Sequence, residues 1–266
     1  DLKDPDPLKS DTNADGTPKY KLTRFTGPLF IDGAKPDDVR QGAIGNCYFP
    51  AALAAVAHSN PEAIQKAIKD NGDGTYTVRF YENADWGRPR PVDITVDADL
   101  YTRSFGGPVY GSSLGGSTAP DKMELWFPLI EKAYAQWKGG FESIGQGGSA
   151  AKVMSEVLGK PSGYETVSST NADRIYNRIK TASERGASLA AGTYGTDQAA
   201  RYSNTGVYAN HAYTVYGVEE KNGEKFVKLR NPWGQSEYGY DGKNDGNFSI
   251  PLSKFVELYR GVHIVE

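Results

Sequence analysis

Gln41-Gly42-Ala43-Ile44-Gly45-Asn46-Cys47-Tyr48-Phe49-Pro50 runs directly into Ala51-Ala52-Leu53-Ala54-Ala55-Val56-Ala57, and Cys47 is the single cysteine of the 266 residues. From Tyr48 to His58 the chain is rich in alanine and free of glycine, which favours helix, while Gly42 and Gly45 keep the preceding stretch out of one. Pro50 lacks an amide hydrogen and is tolerated only in a first helical turn, so the helix is expected to start near Asn46 or Cys47. The thiol then sits at the positive end of the helix dipole. There, beside an imidazolium, it can lose its proton at neutral pH and act as a nucleophile. Gln41, just upstream, carries a side-chain amide able to donate to an oxyanion. A lone cysteine on an alanine-rich helix is more often an inert core residue, so the histidines decide the matter.

There are three of them. His58 lies farther along the same helix, roughly 16 Å from Cys47 at 1.5 Å per residue, too far for a hydrogen bond, and reads as a helix-end residue. His263 falls in the apolar, strand-like run Gly261-Val262-His263-Ile264-Val265, where packing is the plainer role. His211 differs. It opens Asn210-His211-Ala212-Tyr213-Thr214-Val215-Tyr216-Gly217-Val218, a β-rich run whose small residues leave room around the imidazole. Farther on, Asn231 closes Lys228-Leu229-Arg230-Asn231 just before the turn Pro232-Trp233-Gly234. An asparagine carbonyl that accepts from one imidazole nitrogen fixes the tautomer and turns the other nitrogen to the thiol, which is the logic of nucleophile, base and orienting group.

The rest of the chain is read from its periodicity. Residues 1–35 are rich in Asp, Lys and Pro and poorly periodic, an extended lead-in. A helical region over 47–68 gives way at Asp70-Asn71-Gly72-Asp73-Gly74 to a hairpin of strands 75–81 and 91–96. Residues 104–120 are Gly/Ser-rich and predict a long loop, and lacking a following Gly-Lys-Ser/Thr they form no phosphate-binding loop. Helices are expected over 124–137, 150–158 and 171–185, and strands over 187–193, 212–218, 225–230, 247–251 and 262–265. The subdomain boundary is placed near Gly159-Lys160-Pro161. The fold class is therefore α+β: a helical subdomain, 36–160, carrying Cys47, packed against an antiparallel β subdomain, 161–266, carrying His211 and Asn231, with the active-site cleft between them.

Thirty basic and 33 acidic residues give a formal net charge of −3 without a basic run, so neither nucleic acid nor an anionic membrane surface is an expected partner. No apolar stretch approaches the ~20 residues of a membrane span. The chain starts with Asp and shows no signal peptide, which suggests a processed or excised form whose targeting segment is missing. One cysteine excludes an intrachain disulfide and leaves the compartment open, and nothing in the sequence fixes an oligomeric state.

Four blocks together resemble the protease core of the calpains, cysteine peptidases of the papain-like class: 41–57 around the cysteine; Glu124-Leu125-Trp126-Phe127-Pro128-Leu129-Ile130-Glu131-Lys132-Ala133-Tyr134-Ala135; 211–220; and 229–234 followed by Asp245-Gly246-Asn247-Phe248 and 255–259. The resemblance spans residues 36–264. It implies a papain-like fold, with Cys47 as nucleophile, His211 as base, Asn231 as the orienting amide and Gln41 as oxyanion donor. Trp233 takes the place of the indole beside the catalytic asparagine, and we read Gly45, Asn210 and Trp233 as lining the substrate cleft. The substrates implied are flexible protein or peptide segments, with an apolar residue favoured one position before the cleaved one. Asn46 and Tyr48 depart from the Asp and Trp usual on either side of the family's cysteine.

No cofactor is required by such a mechanism, but the resemblance brings in calcium. Asp38 and Glu124 match ligands of a first core site, and Glu237 and Asp245 fall where a second is expected. Pro36 and Asn247 replace the Arg and Glu that couple the two sites in calcium-gated relatives, so a cooperative switch is not expected. Asp11-x-Asn13-x-Asp15-Gly16 starts like a calcium loop, but Leu22 stands where the bidentate carboxylate belongs, and an Asp/Asn turn is the expectation. The function expected is a cysteine endopeptidase. An acyl transferase on the same site, or an idle binding module that keeps the fold, remain open alternatives.

Overall fold

The computed structural model describes residues 2–104, 106–114 and 116–266. The alanine-rich run forms helix α1, Tyr48–Ser59, with Cys47 at its N-cap position and Pro50 in the first turn. Every residue from Tyr48 to Ala57 is buried. A helix apolar on all sides belongs in the interior, and its alanines let neighbours approach closely: α1 packs on α5 (Ala150–Leu158) and on strands β7 (Ser188–Thr193) and β8 (Ala212–Lys221). The helical region expected over 47–68 is broken at Asn60. That residue takes φ −150° and ψ 69°, its side chain accepts from Ala63 N–H, and Pro61 opens α2, Pro61–Ala67. The residue before a proline resists helical ψ, so the Asn-Pro pair ends one helix and caps the next.

Three strands follow as an antiparallel sheet: β2, Ile68–Asp70; β3, Thr75–Glu82; and β4, Arg90–Asp97. Val78 faces Ile94 in the β3–β4 register, and Tyr76, Val78 and Phe80 alternate into the core as their spacing predicts. The lead-in is more ordered than its composition suggests. Lys21–Arg24 forms β1 and pairs with β5, Asp99–Thr102, while Asp4 forms an ion pair with the buried Lys132 ammonium at 2.5 Å and Phe141 N–H donates to Asp6 carbonyl. Phe105 and Gly115 of the loop expected over 104–120 lie outside the described residues, and its described remainder holds no helix or ladder strand. Helix α3, Trp126–Lys138, is buried from Trp126 to Ala135 and is followed by α4, Phe141–Ile144. It starts two residues later than expected because Glu124 turns aside to accept from Ile31 N–H.

The remainder is one six-stranded antiparallel sheet in the order β10-β9-β8-β7-β11-β6. Its other strands are β6, Gly163–Thr166; β9, Glu224–Arg230; β10, Asn247–Pro251; and β11, Tyr259–Val265. Helices α6, Ala172–Glu184, and α7, Leu252–Leu258, pack on it. Strands β1, β2, β5 and β6 and helices α4 and α7 had not been expected, being too short to carry a period. The buried side chains form two clusters, one around α1, α3 and α5, the other between the sheet and α6 and α7. Thr214 Oγ1 donating to Ala51 carbonyl at 2.7 Å and Ser59 bonded to Ser188 at 2.6 Å pin α1 to the sheet.

Candidate active site

Where α1 meets the sheet lies an open cleft of about 740 Å³. Gln41, Gly45, Cys47, Asn210, His211 and Trp233 all line it. Gly45 brings the chain against Gly145, whose carbonyl oxygen would lie 2.5 Å from an added Cβ, so the cleft floor beside Cys47 tolerates no side chain there.

His211 is held from behind. Thr193, at the end of β7, accepts from His211 N–H through Oγ1 at 2.9 Å and donates its own N–H to the His211 carbonyl at 3.0 Å. The preceding Asn210 takes a left-handed φ of 50°, a conformation asparagine tolerates better than most residues. His211 Nε2 lies 2.9 Å from Asn231 Oδ1. The amide orientation is fixed independently: Asn231 Nδ2 donates to Ser236 carbonyl at 3.0 Å, and Trp233 N–H donates to Oδ1 at 3.1 Å. Oδ1 can only accept, so Nε2 carries the proton and Nδ1 keeps its lone pair. The Trp233 ring sits 4.5 Å from the imidazole and the Tyr213 ring meets it edge-on at 4.9 Å. This casing, more than any charge, pushes the His211 pKa down to about 4, the bond to Asn231 opposing the fall.

Cys47 is half-buried. Burial pushes its thiol up, while the backbone N–H groups of Ala212, Tyr48 and Cys47 itself pull the other way. The sequence predicted a lowered thiol pKa from the helix end and an imidazolium. In the resting site desolvation outweighs the dipole, and the imidazole is neutral. No hydrogen bond joins the thiol to His211 among the described residues. Burial penalises either charge alone, whereas a thiolate and imidazolium formed together would offset one another.

Gln41 donates Nε2–H to Ile44 carbonyl at 2.7 Å, which leaves one amide hydrogen free of that bond, and its backbone N–H donates to Pro232 carbonyl, tying the turn after Asn231 to the α1 side. Asn46 and Tyr48 have structural partners. Asn46 is fully buried and donates to Glu131, whose other oxygen accepts from Gly111 N–H, and burial pushes Glu131 up to about 7. An aspartate at 46 would place a second carboxylate there. Tyr48 donates to Ile144 carbonyl at 2.8 Å. His58 ends α1 away from the cleft, its Nε2 3.2 Å from Tyr216 carbonyl. His263, expected to be packing, instead lines the cleft, because β-alternation sends Val262 and Ile264 into the second core and turns it the other way. Thr193, Tyr208 and Tyr213 carried no sequence signal for a role beside His211.

The calcium candidates divide. Asp38 and Glu124 converge as a buried carboxyl pair, and burial together with Asp38 pushes Glu124 up to about 7. One oxygen of each is engaged: Asp38 Oδ2 accepts from Lys35 N–H and Trp126 Nε1–H, and Glu124 Oε1 from Ile31 N–H. Glu237 accepts from Gly246 N–H and Asp245 from Asn247 N–H. Calcium takes six to eight oxygens, carbonyls and waters among them, and no cluster of three acidic, histidine or cysteine side chains is gathered for a metal among the described residues. Asp15 accepts from both the N–H and the hydroxyl of Thr17, the expected turn. Arg230, fully buried, donates to Val39 carbonyl at 2.6 Å, and its Nε lies 3.6 Å from Asp37 without a hydrogen bond, while Asn247 Nδ2 donates to that same carboxylate.

Comparison with known proteins defines the class as a cysteine peptidase. The family model described as calpain family cysteine protease matches residues 18–249, and the chain belongs to that family. It is 30% identical over 213 residues to the calpain-type cysteine protease DEK1 of Arabidopsis thaliana, covering 77% of this chain and 9% of that protein. Calpain-9 of Rattus norvegicus is 30% identical over 224 residues, with 79% of this chain and 30% of that one covered. The calpain-1 catalytic subunit of Bos taurus is 29% identical over 248 residues, at 86% and 32%. The chain thus spans about a tenth of the plant relative and about a third of the animal ones. No helix is long and apolar enough to cross a membrane among the described residues.

Proposed function

We propose that the chain is a papain-like cysteine endopeptidase acting on flexible protein segments, with a helical half, 36–160, and a β half, 161–266, meeting at the cleft. The observation that carries this is the tautomer: the Asn231 amide holds the proton on His211 Nε2, so the basic Nδ1 is the nitrogen left for chemistry in the cleft that Cys47 shares. The thiol passes its proton to Nδ1 as Sγ attacks the peptide carbonyl. The free Gln41 amide hydrogen and the Cys47 backbone N–H stabilise the oxyanion. His211 then protonates the leaving amine, and water hydrolyses the thioester. An open cleft between two packed halves suits an extended chain rather than a folded surface. The Arg230 contact with Val39 and Asp37 supports a site that is assembled without an ion, so no step is routed through calcium.

The test uses a quenched fluorogenic peptide and a thiol-directed epoxide. Wild-type protein should cleave the one and be labelled by the other at Cys47. Cys47→Ala should do neither while remaining folded, and residual cleavage by a clean Cys47→Ala preparation would overturn the assignment.

A further inference from the structure

The cleft continues past Cys47 and His211 across the sheet, and its far wall differs in chemistry from the rest. Ala212 of β8 pairs with Gly192 of β7, and Gly192 with Gly261 of β11. Two residues along, Ala190 pairs with His263, and His263 with Tyr164 of β6. Residues two apart share a face, so Ala212 and Gly192 form a shelf with no side chain larger than methyl, at whose end Tyr164 lies over Gly261 beside His263. At ~4.8 Å per strand, β11 lies about 10 Å from β8, within a substrate side chain's reach. The shelf is shaped, not merely vacant. A Cβ at Gly261 would lie 2.1 Å from the Tyr164 hydroxyl, because that tyrosine lies across the strand.

The β11–β7 ladder shifts between Tyr259 and Gly261, which makes Arg260 the extra residue of a bulge, a device that re-aims side chains. Arg260 lines the cleft and is its single fully charged side chain among the described residues, with no carboxylate beside it there. The acids near it in the chain and ladder are engaged elsewhere, Glu165 with Arg174 and Arg178, and Glu257 with Lys254. His263 Nδ1 is buried without a hydrogen-bond partner, and the Tyr164 ring stands 5.1 Å from the imidazole.

A leucine on this shelf would leave the Arg260 guanidinium without a partner, and a lysine would meet it with like charge. We propose that Gly192, Gly261, Tyr164, His263 and Arg260 form a specificity pocket for a substrate side chain that ends in a carboxylate, with glutamate preferred. The stem of glutamate spans the shelf and its carboxylate meets Arg260, beside the His263 ring. The inference rests on the peptidase reading and departs from the aliphatic preference implied by the family resemblance.

The decisive experiment measures peptide affinity on Cys47→Ala protein by calorimetry, so that turnover plays no part. Peptides alike except at one position, scanned across both sides of the scissile bond, carry Glu, Gln, Leu or Lys. At one position Glu should bind about fivefold more tightly than Gln or Leu, as an exposed cation with no carboxylate beside it in the cleft allows. Arg260→Glu should reverse the order there in favour of Lys, and His263→Ala should shrink the advantage of Glu several-fold. Leu equal to or better than Glu at every position, a Glu preference that survives Arg260→Glu, or no measurable binding of any peptide would each overturn the pocket. Cleavage by the wild-type chain is scored separately: a Glu preference without cleavage sinks the peptidase reading and leaves the pocket, and cleavage with a Leu preference does the reverse.

Discussion

Replacing Asn231 by alanine separates the orienting group from the base it orients. Asn231 is fully buried, and its side chain accepts at Oδ1 from His211 Nε2–H and Trp233 N–H while donating to Ser236 carbonyl. In Asn231→Ala the His211 Nε2–H is left without an acceptor in a site that water hardly enters, at a cost of about 1–3 kcal/mol. The imidazole escapes that cost by moving its proton to Nδ1, the nitrogen that receives the thiol proton in the proposed mechanism. A penalty of that size lowers the competent tautomer about 5- to 150-fold, so kcat/KM should fall by one to two orders of magnitude. His211→Ala, with no base left, should fall much further. Asn231→Asp supplies a carboxylate at the same place and should raise the His211 pKa above about 4, moving the pH dependence of Cys47 alkylation upward. The assay pairs fluorogenic-peptide kinetics with iodoacetamide rates across pH, and urea midpoints show whether each variant is folded. The reasoning is refuted if Asn231→Ala cleaves within about twofold of wild type, or if, still folded, it loses as much as His211→Ala.

Stability should respond to pH through two buried groups of opposite sign. His211, neutral in the fold with a pKa of about 4, contributes stability present above 6.5 and lost as pH falls towards 4, whereas Glu131, raised to about 7, contributes stability present below 4.5 and lost as pH rises through 7. Glu131→Gln should therefore gain on wild type by a few kcal/mol in urea unfolding between pH 5 and 8, and a difference that stays flat with pH would show that Glu131 is not held neutral. Calcium titration of the initial rate should give at most a modest, graded change, and chelator should leave most activity; a steep sigmoidal rise from near zero would mean that a coupling contact other than Arg230–Asp37 runs through the ion. Asp37→Ala should cost only about 1 kcal/mol in unfolding, since Asp37 is largely exposed, yet lower peptide cleavage more than that by loosening the Arg230 contact; unchanged cleavage would remove the contact from any role in holding the site together.

Long or strongly patterned segments were legible in the sequence, and contacts between distant segments were not. The α1 run, the β3–β4 hairpin and the strands Ser188–Thr193, Ala212–Lys221 and Asn247–Pro251 follow from propensity and period. Their neighbours β1 and β6 have four residues each, too few to show alternation, and depend on partners far away in the chain. In the same way Cys47, His211 and Asn231 stood out by residue type and local setting, while Thr193, Tyr208 and Tyr213, which hold and enclose the imidazole, are ordinary strand and loop residues until the sheet aligns them. His263 is the instructive miss. Its alternation with Val262 and Ile264 was visible, but which face of β11 lined the cleft depended on where α5 came to rest. Arg230 was hidden for a related reason: a buried arginine makes sense only once Val39 and Asp37 are beside it.

Helix α1 has no water-facing side from Tyr48 to Ala57, and that bears on when the chain becomes dangerous to its neighbours. So short a helix is marginal on its own in water, and this one would expose Phe49, Leu53 and Val56 if it formed early. It persists only when the sheet carrying His211 closes on one flank and α5 on the other. During synthesis the thiol emerges long before the imidazole, in a segment that cannot yet hold its shape. On the proposed reading, hydrolytic power arrives in one step with final docking, and an unfinished chain carries a cysteine without its base. Refolding followed by pulse labelling should show burial of α1 and onset of peptide cleavage sharing a single rate constant; cleavage that precedes burial would break the connection.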